Sequence, residues 1–202
     1  MKILRVETLL RRGVVAESPE WRKARTDLHA AIRKVVWPTG SDRFTIYPQS
    51  GKKSGEGNGV TPIKTGLMLQ LETLGWGLEI PLEISSLKRP GKLDAVLPTI
   101  HGPLAVEWET GNISSSHRAL NKMALGLLKG KLASGTLIVP SRKMYNFLTD
   151  RVGNFDELEP YLELWRSIPC ADGVLEIVEV EHDAESFDVP RIPKGTDGRA
   201  LR

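Results

Sequence analysis

The spacing of apolar and polar residues changes period several times along the chain, and each change marks an element. Trp21, Ala24, Leu28, Ala31, Ile32 and Val35 recur every three or four residues, the buried stripe of a helix. Ser18 and Pro19 supply an N-cap and a first-turn proline, so this helix is predicted to start there and run to about Trp37, where Pro38 stops it. Residues 44–47 read as a strand. Thr61 and Pro62 open a second helix reaching about Leu74, with Ile63, Leu67, Leu71 and Leu74 inward and Gly75 as the stop. Residues 78–82, 92–97 and 103–109 have the short alternating character of strands. The serines at 114–116 cap a helix to about Leu132, which buries Leu120, Met123, Ala124, Leu127 and Leu128. Residues 136–140 form the continuous apolar run of a central strand; helices over about 143–152 and 156–167 and a last strand over 174–180 follow. Strands interleaved with helices predict an α/β fold, a single-domain mixed β-sheet flanked by helices.

In the strand at 103–109, Leu104, Val106 and Trp108 share one face, while Ala105, Glu107 and Glu109 share the other. The preceding strand carries Asp94, and the loop from Pro98 to Gly102 is short enough to fold the two into a hairpin, which brings Asp94 near Glu107. Such carboxylates suit a hard cation such as Mg²⁺, which takes oxygen ligands, keeps several waters and binds substrate phosphates. Asp94 and Glu107 can supply ligands, and Glu109 can orient or deprotonate a water. Clustered acids also repel, which raises the pKa of at least one and favours cation capture. The competing account is an ordinary half-exposed strand whose acids face water.

Asp94, then Glu107-Trp108-Glu109, the polar run Thr110-Gly111-Asn112 and a helix beginning near Ser114 resemble the BamHI/BglII-type restriction endonucleases of the PD-(D/E)xK nuclease superfamily. The stretch Gly57-Asn58-Gly59-Val60-Thr61-Pro62-Ile63-Lys64, with Leu71-Glu72 and Gly75-Trp76, is similar to the same group. The likeness covers roughly residues 57–141. It implies a restriction-endonuclease-like fold, Asp94 and Glu107 as Mg²⁺ ligands, and Glu109 in place of the superfamily's lysine. It also implies Glu72 nearby on the preceding helix. A carboxylate at 109 cannot stabilise an attacking hydroxide as an ammonium can, so Glu109 would act as base or second ligand; Lys64 or Lys122 can compensate.

Composition narrows the picture. At 202 residues and 40% hydrophobic content, the chain suits one well-buried core, over residues 1–183. Residues 184–202, rich in proline, glycine and charge, are predicted to be a mobile tail, or a clamp that orders only with a partner. The net charge of +3 is compatible with nucleic acid without demonstrating it. Basic residues crowd the first part of the chain and acids crowd 150–185; on the first helix Arg22, Arg25, Arg33 and Lys34 suggest a solvated basic face ahead of a DNA-contacting one. A single cysteine, Cys170, rules out an internal disulfide framework and a cysteine-rich zinc site. Arg5 and Glu7 interrupt the apolar start, leaving no signal-peptide core or membrane span, which points to a cytoplasmic protein.

Candidate DNA contacts fall in two places. His117, Arg118, Asn121 and Lys122 make a polar face on the helix after the acids, where basic side chains can meet a phosphate held at the metal; a solvated face is the plainer alternative. Lys52 and Lys53 lie in a glycine-rich segment at 49–59 that suits close approach to phosphates or serves only as a linker, and Lys64 follows it. The resulting expectation is a Mg²⁺-dependent type II restriction endodeoxyribonuclease acting on double-stranded DNA, a homodimer by the resemblance. A structure-selective repair or resolution nuclease of the same fold and a non-catalytic DNA-binding protein are the alternatives. Divalent-metal dependence and fixed-length fragments separate the three.

Overall fold

A computed structural model of the chain describes residues 1–53, 55–83, 91–149 and 152–194. Its centre is a six-stranded mixed sheet. In chain order the strands are β1 (Lys2–Arg12), β3 (Gly77–Pro81), β4 (Lys92–Leu97), β5 (Leu104–Trp108), β6 (Ser134–Pro140) and β7 (Gly173–Glu181); a short pair, β2 (Thr45–Ile46) and β8 (Ala184–Glu185), lies apart. The spatial order is β1-β7-β6-β5-β4-β3. β5, β6 and β7 run parallel and are buried throughout, while β1, β4 and β3 are antiparallel to their neighbours. Helices α1 (Pro19–Arg33) and α2 (Thr61–Thr73) share one apolar core with Leu104, Val106 and Trp108. Helix α3 (Ile113–Leu128) shares a second with Ala105, Leu137 and Ile177, together with the short helices α5 (Phe155–Leu158) and α6 (Leu162–Arg166). Another short helix, α4 (Arg142–Tyr145), follows β6.

Most predicted elements are present, and the boundary shifts have local causes. Ser18 caps α1 through the Trp21 amide, but the helix ends near Arg33, because residues beyond it peel away and Trp37 pairs with Phe44. Asn112, not a serine, caps α3. That helix stops at Leu128; Gly130 turns the chain at φ 62, and Leu132 folds back over Gly126. The helix predicted over 156–167 is two short helices around a 3-10 turn that contains Pro160, which has no amide to continue the ladder.

Strand β1 is absent from the predicted elements, and its charges explain why. Its bases face the acids of β7: Lys2 pairs with Glu181 (3.0 Å) and Arg5 with Glu179 (2.7 Å), and Arg25 of α1 reaches Glu176 (3.0 Å). The basic first part and the acid-rich later part are therefore partly each other's counter-charges, and Arg25 is not simply solvated.

Residues 184–194, predicted as the start of a mobile tail, are packed. β8 pairs with β2, Trp37 Nε1 donates to Pro190 O (2.8 Å), and Ile192 is buried. Composition hid this because a single isoleucine and main-chain bonds make the anchor. The hub is Asn58, fully buried. Its Nδ2 donates to Tyr47 O (2.8 Å) and Phe147 O (2.9 Å), and its Oδ1 accepts from Ile192 N (3.1 Å). The glycine-rich segment is accordingly tied at its base. A Cβ on Gly51 would fall 1.8 Å from Leu148 O, and one on Gly59 1.9 Å from Pro193 O, so these glycines serve close packing. The C-terminal residues 195–202 of the predicted tail lie outside the described residues.

Asn58→Ala leaves the Ile192 amide without its acceptor and removes one of two donors from Tyr47 O and from Phe147 O, which keep the Gln49 and Asn58 main-chain amides. At about 1–3 kcal/mol for a buried group left unpaired, it should lower the unfolding free energy by about 1–3 kcal/mol in urea denaturation. A loss below about 0.5 kcal/mol, the size of an ordinary surface change, would show that the hub is not needed to hold the three segments.

Candidate active site

The β4–β5 hairpin pairs Ala95 with Val106, Val96 with Ala105 and Leu97 with Leu104. One step further along this register, Asp94 stands across from Glu107. Thr99 Oγ1 and Gly102 close the turn, the hydroxyl donating to Gly102 O (2.6 Å) where φ at Gly102 is 113°. Alternation sends Leu104, Val106 and Trp108 into the α1–α2 core, which leaves Glu107 on the other side of the strand, as the residue pattern predicts. Both acids of the pair are buried.

Each acid is fixed by defined partners. Asp94 Oδ2 accepts from the Trp108 amide (2.8 Å), and Oδ1 holds the Lys64 ammonium at 2.5 Å. Glu107 is ion-paired with Lys122, whose Nζ also donates to Lys92 O (2.7 Å). Glu109 extends the ladder beyond β5 through its amide to Ile138 O, and its Oε1 accepts from the Gly111 amide (2.7 Å). A Cβ at Gly111 would lie 2.9 Å from that oxygen, so the glycine lets the carboxylate fold back.

Burial dominates the proton affinities. It pushes the Glu107 carboxyl up to about 7; Lys122 pulls against that shift and the Asp94 charge adds to it. Burial likewise raises Glu109, opposed by the Gly111 amide and reinforced by Asp94. Acids in this condition are relieved by a cation. The two ammoniums on Asp94 and Glu107 are the cations that this set holds, so the donors fit a hard divalent ion. Among the described residues no three ligating side chains surround one point. Two carboxylates suffice only for an ion that keeps water or phosphate in its remaining positions.

The other predicted site residues divide. Lys64 and Lys122, predicted as DNA contacts, lie on the acid pair, and Lys122 is buried, because its carboxylate and carbonyl partners lie inward of the helix surface. Asn121 accepts from Trp165 Nε1 (3.0 Å), and His117 packs against Tyr161 and Trp165, so that part of the predicted polar face holds α6 and its approach. Arg118 is exposed, with Nη2 on Ser115 Oγ (3.1 Å); Lys52 and Lys53 are exposed too. Glu72 is not brought to the acids. It is exposed eight residues beyond Lys64, about 12 Å further along α2.

Glu79, exposed like Glu72, is the acid that the sheet register sets opposite Asp94. Leu78 pairs with Ala95 and Ile80 with Leu93, so register puts Glu79 across from Asp94, with a left-handed φ of 54° that marks a local irregularity in the strand. The sequence contains the signal, an acid between two apolar strand residues, but not the pairing that gives it meaning.

A family model described as restriction endonuclease BamHI matches residues 1–199, well beyond the 57–141 stretch that carries the motifs. The type II restriction enzyme OkrAI of Oceanobacter kriegii is 50% identical over 202 residues, all of both chains. The type II restriction enzyme BamHI of Bacillus amyloliquefaciens is 37% identical over 190 residues, 90% of this chain and 84% of its own. A crystal structure of restriction endonuclease BglII complexed with a DNA 16-mer superposes with a TM-score of 0.65 over 91% of this chain and 79% of that one; at 11% identity it shows the fold. Matched by the family model over nearly its whole length, and by two relatives of the same kind, the chain belongs to the BamHI restriction endonuclease family.

Proposed function

We propose that this restriction endonuclease hydrolyses phosphodiester bonds in double-stranded DNA at a site built from Asp94, Glu107 and Glu109 and served by Mg²⁺. The observation that carries the reading is the facing Asp94–Glu107 pair, buried and already holding two cationic groups. Asp94 and Glu107 would be the ligands. A bound ion supplies charge neutralisation at the phosphoryl oxygens and makes a water easier to deprotonate. Glu109, its proton affinity raised and one oxygen held by Gly111, leaves the other oxygen to take the proton from the attacking water as the phosphorus–oxygen bond of the leaving strand breaks. Glu79 replaces Glu72 as the candidate for a further carboxylate beside Asp94.

Arg118, with Lys52 and Lys53, is assigned to DNA contact, since these cations are exposed. Cutting both strands is assigned to a homodimer, each copy cutting one strand. Tyr161 and Leu164, exposed at the start of α6, offer apolar surface for it. No described helix is long and apolar enough to cross a membrane, and the cytoplasm, where DNA lies, is the proposed location. Purified protein incubated with plasmid DNA and Mg²⁺, followed by end sequencing, tests the activity and reads the recognition sequence at once; cutting undiminished by a chelator would refute the metal.

Asp94→Asn and Glu107→Gln each remove a ligand at nearly constant volume. Cleavage should fall about 1000-fold or more, about 4 kcal/mol of barrier, with the fold kept. Wild-type rates in either would sink the assignment.

The raised Glu107 carboxyl also predicts a pH effect on the metal-free protein. Between the ordinary 4.5 and about 7 the folded state binds a proton that the unfolded state has released, so this residue's contribution to stability declines as pH rises through that window. Thermal melts in chelator should show Glu107→Gln gaining stability relative to wild type across the window. A difference that does not change with pH would mean that Lys122 keeps Glu107 ionised throughout.

Arg118→Ala should weaken DNA binding and leave divalent-metal binding by the DNA-free protein unchanged. If its partner is a phosphate, the slope of log affinity against log salt falls by about one contact. Unaltered DNA affinity would remove Arg118 from the interface.

A further inference from the structure

The two lysines on the acid pair are not equivalent. Lys122 is 10% exposed, has two partners, and one of them is the main-chain Lys92 O, which ties it to β4 whatever happens at Glu107. Lys64 is 27% exposed, and its ammonium is bonded to Asp94 Oδ1. Asp94 does not depend on that bond for its orientation, because Oδ2 is held by the Trp108 amide. Removing the Lys64 ammonium therefore leaves a carboxylate in place with one oxygen free. Lys64 also lies on the first turn of α2, at the end of the segment that carries the exposed Lys52 and Lys53, so a released ammonium joins a stretch that already presents positive charge.

We propose that Lys64 is an exchangeable counter-cation: it neutralises Asp94 in the metal-free protein, leaves when a divalent cation binds there, and then pairs with a phosphate of the bound DNA. Lys122 stays on Glu107 throughout. The inference rests on Asp94 and Glu107 being the metal ligands. Its consequence is coupling between metal and DNA. A phosphate that draws Lys64 away opens Asp94 to the cation, and a cation on Asp94 frees Lys64 for the phosphate, so each ligand must tighten the other by the same factor.

Ca²⁺, an oxygen-seeking ion, is the probe. It is titrated calorimetrically into wild type, Lys64→Gln, Lys122→Gln and Asp94→Asn without DNA. The affinity of each for a duplex carrying the sequence found by end sequencing is then measured with and without Ca²⁺. Lys64→Gln should bind Ca²⁺ about tenfold more tightly than wild type in the absence of DNA, and should lose most of the gain in DNA affinity that Ca²⁺ gives wild type. Lys122→Gln should show no such tightening. Lys64→Met, which keeps the length of the side chain without its charge, should behave as Lys64→Gln does. Ca²⁺ binding by the Lys64 variants no tighter than wild type, with binding lost in Asp94→Asn, overturns the exchange and leaves the metal ligands standing. Ca²⁺ binding unaltered in Asp94→Asn, or absent from every protein, overturns the ligand assignment and the exchange with it.

Discussion

Two carboxylates face each other across one strand spacing in a buried setting, and much of the surrounding architecture answers that repulsion. Unit charges about 5 Å apart at an effective dielectric of about 20 oppose each other by roughly 3 kcal/mol, before the cost of taking either from water. The hairpin register that faces Asp94 with Glu107 is set by the apolar partners beyond them, Ala95, Val106 and Leu104, whose burial decides which face of the strand each side chain takes. The acids are thus carried into opposition by packing. Lys64 from α2 and Lys122 from α3, with the Trp108 amide, are the local response.

The same logic operates on β7, with the opposite outcome for reactivity. Glu176, Glu179 and Glu181 are buried in a central strand and would destabilise it alone. Each meets a base from β1 or α1, and no two of these acids are drawn onto one another. Matched by these bases, they link the edge strand to the core. Asp94 and Glu107 instead remain mutual neighbours, and the Asp94 charge adds to the burial that makes Glu107 avid for a proton or a cation. Carboxylates in one sheet therefore serve as structural or reactive groups according to whether the register isolates or confronts them.

This also sets what the amino-acid pattern could reveal. The hairpin and the sharing of a face by Glu107 and Glu109 were legible because strand alternation and a short loop are local properties. β1 was not, since Lys2, Arg5 and Glu7 break its apolar character and make sense only beside β7. Lys122 read as a surface residue because i, i+4 spacing with Arg118 describes the helix and not what lies under it; a carbonyl two strands upstream, at Lys92, turned it inward. Glu72 and Glu79 both precede Asp94 in the chain, and only strand pairing sets one of them, Glu79, opposite it. Ile192 and Asn58, which anchor residues 184–194, are single side chains in otherwise polar stretches and leave no periodic trace.

The position of positive charge follows from these constraints. By its resemblance to the PD-(D/E)xK pattern, Glu109 would stand where that pattern has a lysine, and the strand itself brings no cation to the acids. Lys64 and Lys122 bring it from two helices, and their different anchoring gives them different freedom. An ammonium rooted in the strand beside Glu107 would be confined by the ladder that Glu109 continues toward Ile138. One on the first turn of α2 can leave without moving the sheet, because Asp94 keeps its bond to Trp108. With Asp94 and Glu107 as metal ligands, charge carried on helices rather than on the strand would separate two tasks that one strand lysine would have to combine: neutralising the acids, and yielding to an incoming cation.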